Sequence, residues 1–276
     1  MKALIVGLGL IGGSLAKQLK KNSDWTVAGF DIDAEVCSEA KMNGAVDDVW
    51  QKGENCDADI TILCLSPVCS LDFLRENAPY LKPGSVVTDV CGVKQAVVSE
   101  AEDICEKCGL LFIGGHPMAG TQFWGFGSSR ASLFKGASMI LTPCGISDIA
   151  VLDKAKHFFL SLGFSEITFS SPEEHDRIIA YTSQLAHVVS SAYVKSPSAE
   201  VRKGFSAGSY KDMTRVAKLN EEMWTELFLE NKDNLAFEID TLIKNLQQYK
   251  TVIENADSEK LSSLLSEGKA KKKQVG

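Results

Sequence analysis

The run Ala3-Leu4-Ile5-Val6, followed at once by Gly7-Leu8-Gly9-Leu10-Ile11-Gly12, constrains this chain more than any other stretch. Four apolar residues that end on a GxGxxG read as a buried strand turning sharply into a helix, which the pattern predicts over residues 12–21. Thr26-Val27-Ala28-Gly29-Phe30 supplies the next strand and completes a βαβ unit. Each glycine has a physical reason: Gly7 turns the chain, Gly9 lets the backbone approach a pyrophosphate, and Gly12 lets helix and strand pack closely. The helix N-terminus then offers its partial positive charge to the phosphates. Asp31 follows the second strand, 19 residues after Gly12, where a carboxylate accepts from ribose hydroxyls and repels a 2′-phosphate. No arginine follows it closely, so NAD is expected rather than NADP.

Further strand candidates at residues 60–65, 85–90, 110–113, 138–142 and 166–169 are spaced by helices or loops of crossover length. That rhythm predicts an α/β fold, a doubly wound, Rossmann-type, mostly parallel sheet. The pattern turns helical at Ser171, a candidate N-cap with Pro172 at the first helical position and Glu174 three residues past the cap. The expected domains are therefore residues 1–170 for the nucleotide and 171–276 for an all-helical segment; 276 residues at 45% hydrophobic are enough for two cores. One long helix is expected there, with Phe228, Leu235, Ile239, Leu242, Leu246, Tyr249 and Ile253 stepping mostly by threes and fours. Such a seam needs cover, from its own domain or from a second subunit.

Several classes are excluded. With 36 acidic against 29 basic residues and a net charge of −7, nonspecific binding to nucleic acid is disfavoured. The short run Lys269-Ala270-Lys271-Lys272-Lys273 reads as a solvated end. The apolar stretch 4–16 is too short and glycine-broken to span a membrane and lacks secretory flanks, so a cytoplasmic protein is expected. All 8 cysteines lie within the first 144 residues and are expected to stay reduced. Cys105 and Cys108 form a CxxC, but there is no second pair, and residues 97–108 read as an amphipathic helix, so no metal is expected.

Of the 4 histidines, His157 falls on a polar helix face, and His175 falls in the first turn of a capped helix, where a structural role is the default. His116 differs. It lies in Gly114-Gly115-His116-Pro117-Met118-Ala119-Gly120-Thr121, read as a glycine-rich loop at a strand end, where ligands of open α/β sheets bind. A neutral imidazole there can take a hydroxyl proton while hydride leaves the same carbon.

On these residues the sequence resembles the prephenate dehydrogenase family of tyrosine biosynthesis over nearly its whole length. The blocks that carry the resemblance are the glycine motif with Gly13 and Ser14, the 114–121 run, Glu174-His175-Asp176-Arg177 with Ser183-Gln184-Leu185-Ala186-His187, and Gly208-Ser209-Tyr210-Lys211-Asp212-Met213-Thr214-Arg215. The resemblance implies NAD-dependent oxidative decarboxylation of prephenate to 4-hydroxyphenylpyruvate, which requires no metal. It implies that His116 deprotonates the C4 hydroxyl and that Arg215 grips the ring carboxylate. Thr121, His187 and Trp224 would line the pocket, and Gly208 and Asp212 would border it near the interface of a homodimer formed through the helical domain. Leu65, Ser66 and Gly92 complete the cofactor-binding set with Gly7, Leu8, Gly9, Leu10, Ile11, Gly12 and Asp31. Lys211, Arg215 and Lys218 recur at helical spacing and supply local cations for a substrate with two carboxylates.

One motif departs from the pattern. Many relatives carry Asp-x-x-Ser-Val-Lys where this chain has Asp89-Val90-Cys91-Gly92-Val93-Lys94. Gly92 supplies no hydroxyl, so water, a backbone group, or Cys91 shifted into the gap would replace it. The chain also stops after its helical segment, so neither an ACT regulatory domain nor a fused chorismate mutase is expected. Three rival readings are arogenate dehydrogenase activity, a β-hydroxy acid dehydrogenase relying on a catalytic lysine, and a non-catalytic NAD-binding regulator. His187 in place of an acidic residue, and the presence of both His116 and Arg215, favour prephenate turnover.

Overall fold

The computed structural model describes residues 1–276 apart from 23, 122, 144, 146, 147, 202, 203 and 206, so Cys144 lies outside the described residues. The nucleotide half runs β1 (Lys2–Val6), α1 (Leu10–Asn22), β2 (Thr26–Phe30), α2 (Ala34–Met42), β3 (Asp48–Val49), β4 (Ile60–Leu63), α3 (Pro67–Asn77), β5 (Val86–Asp89), α4 (Gln95–Lys107) and β6 (Leu111–Pro117). It closes with β7 (Ser138–Thr142), α5 (Ile149–Ser161) and β8 (Glu166–Phe169). The strands form one 8-stranded sheet in the order β3-β2-β1-β4-β5-β6-β7-β8. Pairing is parallel from β3 to β6, antiparallel between β6 and β7, and parallel again between β7 and β8.

Chain direction across the sheet reverses between β2 and β4, on either side of β1, and this places the glycine turn at the switch point where such sheets bind ligands. Ala3, Leu4, Ile5 and Val6 are all buried, as a strand covered by helices on both faces must be. Lys20 and Lys21 in the last turn of α1 complement its dipole.

His116 sits on a strand and not in a loop. β6 runs on through Pro117, with His116 opposite Ile140 of β7. The two glycines that read as a loop are required by crowding: a Cβ on Gly114 would lie 2.1 Å from Thr142 Oγ1, and one on Gly115 would lie 2.6 Å from the Asp89 carbonyl.

The helical half runs α6 (Pro172–Ile179), α7 (Leu185–Tyr193), α8 (Gly208–Thr214), α9 (Glu221–Glu230), α10 (Lys232–Glu254) and α11 (Ser258–Val275). Ser171 caps α6 as expected, accepting from Glu174 N. The single long helix of the sequence reading is two, broken at Asn231. The Asn231 amide turns inward and donates to the Asp176 carbonyl and to Gln184 Oε1, both at 2.8 Å. Along the expected seam Leu235 is buried, whereas Leu246 and Ile253 are more than half exposed. The basic run near the C-terminus is helical, forming the exposed last turns of α11.

A fully buried ion pair clamps β5 to β6. The Lys94 ammonium donates to Asp89 Oδ2 and, at 2.6 Å, to the Gly115 carbonyl, while Asp89 Oδ1 accepts from Gly115 N at 3.0 Å. Removing one partner leaves a buried charge uncompensated, which typically costs about 3–5 kcal/mol. Lys94→Met is therefore expected to lower unfolding stability by about that amount in a denaturant titration. Wild-type stability in the variant would mean that the pair contributes nothing net.

Candidate active site

The nucleotide side is built on the turn after β1. Gly7 adopts φ +88°, and a Cβ there would meet the Cys64 carbonyl at 2.5 Å and Leu65 Cδ2 at 2.8 Å. A Cβ on Gly12 would lie 1.8 Å from the Gly7 carbonyl, so α1 packs directly on the turn. Gly9 is the opposite case, with nothing within 4 Å of a Cβ, so its face is open to a ligand. Leu10 and Ile11 form the first turn of α1 with Gly12. Leu8 is fully buried, so its side chain packs in the core and only its backbone faces the turn.

Asp31 Oδ2 accepts from Leu8 N at 2.7 Å, and Oδ1 accepts from Asp33 N at 3.0 Å. The carboxylate thus ties the turn to the end of β2, and each oxygen keeps a lone pair for another donor. A cleft of ≈ 560 Å³ opens beside it, lined by residues that include Phe30, Asp31, Ile32, Trp50 and Lys52. Leu65 lies against Gly7, and Ser66 caps α3, accepting from Cys69 N. An open glycine face, a helix N-terminus and a carboxylate beside a cleft fit a dinucleotide.

The other side of the candidate site centres on His116. Its Nδ1 lies 2.8 Å from His175 Nε2, and His175 Nδ1 lies 2.7 Å from Asp176 Oδ1. Asp176 also accepts from Lys94 N at 2.7 Å and from Gln95 N at 2.9 Å. Lys94, the N-cap of α4, has no side-chain cap bond of its own, so a carboxylate from α6 caps that helix. His175 and Asp176 are both buried. Burial holds the His116 imidazole well below the usual histidine value, and the Lys94 charge lowers it further. The default structural role expected for His175 left this contact out. The only signal in the sequence was a histidine and an aspartate side by side in the 174–177 block.

Gly92 flanks the same imidazole: a Cβ there would lie 4.0 Å from His116 Cε1 and 3.4 Å from Leu227 Cδ2. Cys91 does not move into this gap. It is buried, with its thiol 3.5 Å from the Leu65 carbonyl and 3.7 Å from Ser70 Oγ. Burial pushes the Cys64, Cys91 and Cys105 thiols up, the last to about 12, so none is a ready nucleophile. The described cysteines are all unpaired with one another, as expected.

A second cluster involves α9 as well. His187 packs on Trp224 with ring centroids 3.9 Å apart, and its Nδ1 lies 3.2 Å from the Val216 carbonyl. Burial lowers the His187 pKa against the pull of that carbonyl, and the neighbouring Arg215 charge lowers it further. Trp224 and Leu227 are one turn apart on α9, so this helix joins the His187 cluster to the wall over Gly92. Arg215 is exposed at the C-cap of α8. That helix ends at Thr214, so Lys211, Arg215 and Lys218 do not share one helical face; Lys218 lies in the irregular segment between α8 and the start of α9 at Glu221. Gly208 and Asp212 are exposed on α8. Thr121 is exposed too, its hydroxyl donating to the Phe123 carbonyl and accepting from Phe123 N.

Comparison with known proteins agrees with this geometry. Residues 15–167 match the family model described as prephenate dehydrogenase, nucleotide-binding domain, and residues 171–267 match prephenate dehydrogenase, dimerization domain. The prephenate dehydrogenase of Bacillus subtilis is 30% identical over 270 residues, covering 94% of this chain and 71% of its own. The crystal structure of A. aeolicus prephenate dehydrogenase in complex with hydroxyphenyl propionate and NAD+ is 32% identical with a TM-score of 0.89, over 100% of this chain and 98% of that one. Synechocystis arogenate dehydrogenase is 29% identical with a TM-score of 0.83, over 100% of both chains. The chain therefore belongs to the prephenate dehydrogenase family of oxidoreductases, with that family's nucleotide-binding and dimerization domains in order.

Proposed function

We propose that the protein oxidises prephenate with NAD, releasing 4-hydroxyphenylpyruvate and carbon dioxide, and that it works as a cytoplasmic homodimer. The observation that carries this reading is the His116 imidazole beside Gly92, linked through His175 to Asp176, with Leu227 over Gly92 and Trp224, packed on His187, one turn away on the same helix α9. A NAD molecule held by Gly7, Gly9, Gly12 and Asp31 would supply the acceptor for the hydride that leaves C4 of the substrate. His116 takes the C4 hydroxyl proton, and the C4–O bond becomes a carbonyl. Loss of the ring carboxylate as carbon dioxide then leaves its electron pair in the ring, which becomes aromatic, and the C4 oxygen recovers the proton as a phenol. Arg215 orients the departing carboxylate with its planar fork. No helix among the described residues is long and apolar enough to cross a membrane. The exposed apolar residues of α10, Leu246 and Ile253 among them, are the surface that a second subunit would cover.

The rival substrate, arogenate, has one observation in its favour. With Nδ1 donating to the Val216 carbonyl, a neutral His187 keeps an acceptor at Nε2 that could receive an ammonium. The Arg215 charge next to it opposes an ammonium, and this decides the reading for prephenate. Purified protein offered either substrate with NAD or NADP is expected to reduce NAD with prephenate and release carbon dioxide. In the same assay Asp31→Ser should narrow the preference for NAD over NADP; comparable use of both cofactors by the wild type would refute the role given to Asp31.

His116→Asn should lower turnover about a hundredfold or more with prephenate affinity largely kept, because a positioned base contributes that much. The base must be neutral, and its pKa is lowered, so the wild type should lose activity only as the pH falls below the usual histidine range. Near-normal turnover in the variant, or an acid limb at or above that range, would remove His116 from the mechanism.

Arg215→Lys keeps the charge but loses the bidentate fork. It should raise the Michaelis constant for prephenate strongly, with a smaller fall in turnover and little change in NAD affinity. A variant that loses melting temperature at an unchanged Michaelis constant would show that Arg215 only supports the fold.

A further inference from the structure

We infer that His175 is a positioning residue that fixes the tautomer of His116 and shares the proton His116 takes up, with Asp176 setting the direction of the whole chain of hydrogen bonds. The inference rests on the reading of His116 as the base and deepens it.

The direction follows from donor counting. Asp176 Oδ1 accepts from Lys94 N and Oδ2 accepts from Gln95 N, so both oxygens already serve as acceptors at the start of α4. That helix end carries a partial positive charge, which suits an anion. An anionic carboxylate has no proton to give, so at 2.7 Å the donor must be His175 Nδ1–H. A neutral His175 then has its lone pair on Nε2. Facing it at 2.8 Å, His116 Nδ1 must carry a proton as the donor. The one nitrogen of neutral His116 left with a lone pair is Nε2, the nitrogen a base needs. Had Asp176 been a donor, every step would reverse and His116 would present Nε2–H, which accepts nothing.

The same chain serves the charged state. When Nε2 takes a proton, His116 becomes an imidazolium whose Nδ1–H bond to His175 is charge-assisted. The proton on Nδ1 can move toward His175 Nε2 while Asp176 supports the charge from the far side. The reaction returns the proton to the product oxygen, so the protein has to hold it only between the oxidation and the formation of the ring. The charged groups facing the imidazole pair are Asp176 on α6, Lys94 at the start of α4 and Asp89 at the end of β5, and the last two neutralise each other. Burial holds the His116 pKa down, so an unsupported imidazolium there would be unfavourable.

The test uses the full-length protein and two readouts. Nitrogen-15 NMR of labelled histidines, with the His116 signal assigned by its loss in His116→Asn, is expected to show the Nδ1–H tautomer in the wild type and a rise of the Nε2–H tautomer in His175→Leu. In kinetics His175→Leu should lower turnover on the order of a hundredfold with the Michaelis constants for prephenate and NAD nearly unchanged. Its acid limb should move to lower pH, because the imidazolium loses its acceptor. His175→Gln has an amide that can accept from His116 and donate to Asp176, and should recover much of the turnover. Wild-type His116 in the Nε2–H form, a measurement that does not depend on His175→Leu folding, overturns the inference. So does a His175→Leu enzyme with wild-type turnover and pH profile, or equal impairment of the Leu and Gln variants, which a purely structural role predicts. Normal turnover in His116→Asn would instead sink the base reading itself, whereas an inactive His116→Asn beside a His175→Leu enzyme of wild-type turnover and pH profile sinks only the role of His175.

Discussion

The Asp176 carboxylate receives N–H groups from both halves of the chain: Lys94 N and Gln95 N from the nucleotide half, and the His175 ring from its own helix. Around that contact the site is assembled. Without it α4 would start with uncapped amides in a buried place, which costs about as much as any lost cap and more where water cannot replace it. The Asp176 backbone carbonyl is held in turn by Asn231, which also grips Gln184, whose amide donates to the Leu227 carbonyl. Leu227 is the residue that closes over Gly92. A run of buried polar contacts therefore leads from the helix cap to the wall of the pocket. Such networks are rigid when every member is satisfied.

The nucleotide side shows the same economy. Asp31 holds the glycine turn through Leu8 N before any ligand arrives, so the turn is preorganised and the carboxylate remains available to further donors. This tie to the turn is compatible with the ribose contact expected from the sequence. The geometry allows one side chain to serve both, because a carboxylate has about four acceptor positions and the turn uses few of them.

What the sequence made legible was local. The βαβ opening, Asp31 at the end of β2, the span of β7 and β8, and the Ser171 cap all follow from neighbouring residues, and the structure has them where the pattern places them. His116 was identified by its block, but its placement was misread, since Gly114-Gly115 looks like a loop until the crowding by Thr142 and the Asp89 carbonyl is known. The break at Asn231 was hidden because apolar positions continue on both sides of it, and the side chain that stops the helix is directed at Asp176 and Gln184, far off in sequence. His175 is 59 residues from His116. No periodicity reports such a contact, and only a tertiary structure supplies it. The partial exposure of the α10 seam has the same origin: spacing shows that a helix has an apolar face, while the identity of what covers it is a property of the assembly.

The charges near His116 pull in opposite directions, and their balance suits the base role proposed for it. Burial and the Lys94 charge make the imidazole a weaker base than an exposed histidine, whereas the Asp176 carboxylate, relayed through His175, would steady a proton on it. A stronger base would take the C4 hydroxyl proton more readily but keep it, and here the proton has to go back to the oxygen of the aromatic product. A base whose proton is only lightly held serves both directions. Lys94 has a further consequence. Its ammonium is already committed to Asp89 and the Gly115 carbonyl, so it cannot grip a substrate carboxylate. Its charge acts only at a distance, by disfavouring an imidazolium on His116. Arg215 lies beside the His187 cluster and is exposed to solvent. In a chain of net charge −7, Lys94 is thus buried and paired while Arg215 is exposed, so under the roles proposed for them a substrate carboxylate would be drawn to the exposed cation and not to the one beside His116.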